Sequence, residues 1–98
     1  MADKILWAKT AFIQFNAAIS YIISDSVQNA EKIRTDIFAK IQAIPGSPDK
    51  YPPDKYKKSS RGNYRAFEMH HYRIACHTSK AGIKILRVRH TGMEPKEY

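Results

Sequence analysis

The stretch YRAFEMHHYRIACHTSKAGIKILRVRH, Tyr64 to His90, decides the fold. It holds three runs rich in Tyr, Phe, Ile, Val and Leu: Tyr64–Met69, Tyr72–Thr78 and Ile83–His90. Residues of this kind fit a pleated, half-buried surface. His70-His71 suits a tight turn between the first two runs. Ser79-Lys80-Ala81-Gly82 suits the next turn, with Gly82 free to take positive φ. The expectation is a three-stranded antiparallel meander. Along its last strand, Lys84/Leu86/Val88/His90 alternate with Ile83/Ile85/Arg87/Arg89. Lys84 apart, both sets are apolar early and basic or His at the end, so one end of the strand is expected to be core on both faces and the other a cationic cluster. Such a sheet would bring Arg65, Arg73, Arg87, Arg89 and His90 near one another as its working surface.

Upstream of the sheet, Lys4–Ala8 (KILWA) reads as a short first strand. Thr10 can cap a helix that carries Phe12, Phe15, Ile19, Ile22 and Ile23 at three-to-four spacing. Asp25, with Gln28 three residues on, reads as the start of a second helix with a capping box. Val27, Ala30, Ile33, Ile37, Ile41 and Ile44 make its apolar stripe, and Pro45-Gly46 ends it. Almost no chain separates the helices, so a helical hairpin is expected. Prolines 48, 52 and 53 keep Gly46–Asn63 out of regular structure and make it a basic loop. The order β-α-α-β-β-β is an α+β architecture, a two-helix hairpin packed on a small, mainly antiparallel sheet. Residues 1–98 read as one domain.

Charge divides the chain. Met1 to Asp49 carries five bases against five acids, whereas Lys50 to Tyr98 carries twelve against four and all four histidines. The net charge of +8 therefore belongs to the second half, which suits an anionic partner. Cys76 is the lone cysteine, so no disulfide within the chain is possible and a cytoplasmic location is the default expectation. No signal peptide is apparent, and no apolar run approaches the roughly 20 residues of a membrane span. His70 and His71 are adjacent and would point apart on a strand; with Cys76 and His77 they give no spacing for a closed metal site. Neither metal nor cofactor is expected.

The pattern resembles the RelE/ParE superfamily of type II toxin–antitoxin toxins, also called plasmid stabilisation proteins. The resemblance rests on Ile44-Pro45, the Tyr51-Pro52-Pro53-Asp54-Lys55-Tyr56 loop, Tyr64-Arg65-Ala66-Phe67, His71-Tyr72-Arg73-Ile74, Ile85-Leu86-Arg87-Val88-Arg89-His90, and the ending with Pro95 and Tyr98. It implies a small toxin neutralised by an antitoxin, and two activities. RelE-like toxins cleave mRNA on the ribosome, whereas ParE-like toxins poison DNA gyrase. Under the nuclease reading Arg73 matches the arginine that holds the scissile phosphate. Arg65 matches a basic residue on the preceding strand, His90 a catalytic histidine of some relatives, and Tyr98 a tyrosine near the active site. Phe67 stands where a lysine is expected, and Thr91-Gly92-Met93 where an arginine is.

Metal-free RNA cleavage needs a base, an acid and cations on the phosphate. His90 is the acid–base candidate, Arg65 and Arg73 would stabilise charge, and Tyr98 could stack or shuttle a proton. Otherwise His90 merely ends a strand, and Arg73 is a solvated cross-strand residue of little weight in stability. Lys55, Lys57, Lys58, Arg61, Arg87 and Arg89 could follow a phosphate backbone, or simply keep the surface soluble. The leading expectation is a ribosome-dependent mRNA endonuclease that meets ribosome and mRNA. The alternatives are a gyrase inhibitor without nuclease activity and a plain nucleic-acid-binding module. An acidic antitoxin segment is expected over the basic sheet.

Overall fold

The computed structural model describes residues 5–44, 54–57, 63–79 and 82–92. In chain order the elements are β1 (Ile5–Trp7), α1 (Lys9–Ile23), α2 (Val27–Ala43), β2 (Tyr64–Met69), β3 (Tyr72–Ser79) and β4 (Gly82–His90). They form the expected α+β fold. The strands lie in the order β1-β4-β3-β2. The β2–β3 and β3–β4 pairs are antiparallel, and β1 joins the edge of β4 in parallel. Lys4, Lys58, Arg61, Pro95 and Tyr98 lie outside the described residues, as does most of the loop that leads into the sheet. Among the described residues, no helix is long and apolar enough to cross a membrane.

Both helix starts differ from the expectation. α1 begins at Lys9 after Ala8, which offers no side-chain cap, so Thr10 lies inside the first turn rather than before it. α2 is capped by Ser26, whose hydroxyl oxygen accepts the N–H of Asn29 at 3.1 Å. Ser26 displaces the Asp25/Gln28 pair because its extended backbone already aims Oγ at the free amides of the first turn. The α2 stripe is buried from Ala30 through Ile44, but Val27 is exposed. On α1 Ala11 and Phe15 are buried and Ile19 and Ile22 pack half-buried against the core, whereas Phe12 and Ile23 sit on the solvent-facing flank. The core lies between this hairpin and one sheet face, where Ile37, Ile41 and Ile44 meet Ile74, Cys76 and Ile85. Burying each of these isoleucines contributes roughly 1.5–3 kcal/mol.

The β2–β3 connection is the two-residue turn expected at His70-His71. Both residues have positive φ, 53° and 68°, the requirement of a type I′ hairpin turn that Asn-Gly usually meets. That turn fixes the register, pairing Met69 with Tyr72, Glu68 with Arg73 and Phe67 with Ile74. A side chain in the left-handed region costs about 1–2 kcal/mol, so His71→Gly is expected to raise stability by about 0.5–1 kcal/mol, seen as a higher melting temperature. An unchanged or lower melting temperature would mean that the ring's contacts outweigh the strain.

The last strand departs from simple alternation. Its register slips between Ala75 and Cys76, which pair with Arg87 and Ile85 and leave Leu86 as the extra residue of a bulge. Ile83 and Ile85 face the core while Lys84 between them is exposed, so this end is core on one face only, not on both. After the bulge the phase flips. Val88 turns inward, and Arg87 and Arg89 come to the outer face.

Candidate functional site

Cross-strand partners share a face, so the register sorts the cations. Arg73 stands between Glu68 on β2 and Arg89 on β4, and Arg87 lies opposite Ala75 on the same outer face. Arg65 pairs with Cys76, on the face that carries Phe67 and Ile74. The expected grouping of five therefore loses Arg65, because one residue of offset along a pleated strand sends a side chain to the other side, and His90, opposite the buried Tyr72, falls to that side too. Arg73, Arg87, Arg89 and His90 do line one small pocket of about 50 Å³, with Tyr56, Glu68 and Thr91.

Arg73 is the centre of that face, and it is not a solvated residue. Its side chain is only 15% exposed. Nη2 donates to Oδ1 of Asp54 at 2.9 Å, and Nη1 donates to Oε2 of Glu68 at 3.1 Å. The Tyr56 ring covers the guanidinium at 4.8 Å. Nε is buried, with no hydrogen-bond partner among the described residues. Burial works against the charge, yet the bonds to Asp54 and then Glu68 outweigh it and hold the guanidinium protonated beyond its ordinary range. Asp54 is the deeper of the two carboxylates, with a wholly buried side chain, whereas that of Glu68 is 53% exposed.

Asp54 also organises the loop. Its Oδ1 accepts the N–H of Tyr56, an Asx-type turn, and its own N–H donates to the carbonyl of Tyr64. The turn lays Tyr56 over the sheet beside Arg73. The neighbouring lysines rest on rings: Lys55 Nζ is 5.2 Å from the centre of Tyr56, and Lys57 Nζ 4.9 Å from that of Tyr64. Such contacts contribute about 0.5–1 kcal/mol at exposed sites.

His90 ends β4 opposite Tyr72. Its ring meets Tyr72 edge-on at 5.2 Å and stacks near His71 at 6.3 Å. Nδ1 accepts the N–H of Gly92 at 2.9 Å, which assigns the ring proton to Nε2 in the neutral form. Gly92 allows this approach, since a Cβ there would come within 3.0 Å of the ring.

The remaining polar groups serve the frame. His70 Nε2 lies 2.7 Å from Asp36 Oδ2 and ties the hairpin turn to α2. The bonds from His70 and then Lys32 hold the Asp36 carboxyl below its ordinary value. His77 meets Asn63 at 2.9 Å and packs on Tyr64. Burial pushes the Cys76 thiol up to about 11, so it is an inert core group.

Two residues that organise the site, Asp54 and Glu68, were not among the sequence candidates. Both had a signal. A two-residue turn at His70-His71 sets Glu68 directly across from Arg73, and an Asp at the head of a turn is a common backbone acceptor.

A family model of the ParE toxin of type II toxin–antitoxin systems, parDE, matches residues 5–95. The chain belongs to this family. It is accordingly a toxin of a type II toxin–antitoxin system. No curated protein matches it in sequence. Among solved structures it is similar to the chromosomal ParDE toxin–antitoxin system from P. aeruginosa, at 15% identity and a TM-score of 0.67. That match covers 91% of this chain and 96% of the other, which places the toxin in the same fold.

Proposed function

We propose that this toxin acts by docking, as a ParE-like poison of DNA gyrase, with an antitoxin as its neutralising partner, and not as a ribosome-dependent nuclease. What carries the reading is the state of Arg73. Both of its terminal nitrogens are engaged by carboxylates of the chain itself. A nuclease needs that arginine for the phosphate, and two nearby carboxylates would repel the charge that develops there. Phe67, where the resemblance asks for a lysine, belongs to the core at 6% exposure. The grouping of Arg87, Arg89 and His90 around one pocket is what favours the competing nuclease reading, and it serves a docking surface equally well.

The two readings part at His90. Loss of a general acid or base typically costs ~10²–10⁴-fold in rate. Loss of one surface hydrogen bond costs ~0.5–1.5 kcal/mol, about tenfold in affinity at most. The expected result is that the wild-type protein inhibits gyrase supercoiling and leaves ribosome-bound mRNA whole, and that His90→Gln inhibits gyrase within about tenfold of it. Cleavage of mRNA by the wild type, lost about 100-fold or more in His90→Gln, would replace docking by catalysis.

A further inference from the structure

Glu68 occupies the outer-face pocket as a carboxylate of the chain itself. It lies directly across from Arg73, bonds to Nη1 at 3.1 Å, and remains half-exposed. The two carboxylates on Arg73 are unequal. Asp54 lies behind the guanidinium with its side chain wholly buried, and is also held by the Tyr56 amide. Glu68 lies on the open side, among the residues that line the pocket. Displacing Asp54 would strand a buried charge, whereas Glu68 can turn into water and be solvated there.

We propose that Glu68 is an internal stand-in for a carboxylate of a protein partner, and that an acidic side chain displaces it to reach Arg73, Arg87 and Arg89 when the partner docks. This rests on the reading of the outer face as a docking surface, and it names the chemistry that face accepts. A carboxylate fits better than a nucleic-acid phosphate for two reasons. The group already seated on the open side of Arg73 is a carboxylate, bonded to Nη1. Among the described residues, Asp54 and Glu68 already offset two of the three guanidiniums, whereas tracking a phosphate backbone takes several uncompensated cations.

The test uses fluorescein-labelled hexaglutamate and hexathymidylate, with binding to the full chain read by fluorescence polarisation. Glu68→Gln removes the stand-in. Glu31→Gln, an exposed position on α2, makes the same change in net charge elsewhere. Glu68→Gln is expected to bind hexaglutamate about fivefold more tightly than Glu31→Gln, the scale of one ion pair. Adding Arg89→Gln should remove the gain. Equal affinities for the two Gln variants would overturn the proposal, as would a gain for hexathymidylate as large as that for hexaglutamate. The readout involves no gyrase. A failure here therefore leaves supercoiling inhibition standing, and a failure of gyrase inhibition leaves the peptide result standing.

Discussion

Asp54→Ala is expected to lower the melting temperature by more than about 10 °C. The Asp54 side chain is wholly buried and the Arg73 side chain nearly so. Removing one partner of such a pair typically costs about 3–5 kcal/mol, because the other charge is left buried without compensation. In a domain of this size each kcal/mol shifts the melting temperature by about 4–8 °C. Glu68 retains its hold on Nη1, which puts the loss toward the lower end of that range. The alanine also gives up the bond to the Tyr56 amide, so the turn that lays Tyr56 on the sheet should loosen. Arg73→Met in the Asp54→Ala background should recover part of the loss, since it removes the stranded charge and keeps the volume. The measurement is thermal unfolding by circular dichroism for the wild type, the single variant and the double. A single variant that melts within about 2 °C of the wild type would show that the pair does not hold the loop.

The same pair shows how far the sequence could be read. The hydrophobic runs Tyr64–Met69 and Ile83–His90, and the helical stripe from Ala30 to Ile44, carry enough periodicity to give the element order and the α+β layering. The sorting of cations by face needed one further step. With the turn at His70-His71, counting outward pairs Glu68 with Arg73 and Arg65 with Cys76, as observed. Phe67 and Ile74 then mark the inward face and send Arg65 to it. Leu86 was less legible. A bulge is decided by how strand twist and packing accommodate an extra residue, and the alternating hydrophobic pattern of β4 contains nothing that marks it. The partnership of Asp54 with Arg73 spans a Pro- and Lys-rich loop with no periodicity, so only the folded chain brings the two together. Ser26 in place of Asp25 was a choice between neighbouring capping residues, settled by which one has extended backbone.

The outer face of the sheet, with Arg87 and Arg89 at its basic end, is the surface by which the toxin is held to reach its target, and reversing those two charges tests this most directly. Both residues are partly exposed and line the pocket beside Arg73. In Arg87→Glu/Arg89→Glu they would meet an acidic partner surface with like charge, and juxtaposed like charges cost several kcal/mol at an interface. Each 1.4 kcal/mol is tenfold in affinity, so a loss of about 100-fold or more in the inhibition of gyrase supercoiling is expected. The measurement is the toxin concentration that halves supercoiling, for the wild type and the double variant, with circular dichroism of each alongside. The expected result is a folded double variant that needs at least about 100-fold more protein. A folded double variant that inhibits as well as the wild type would contradict it.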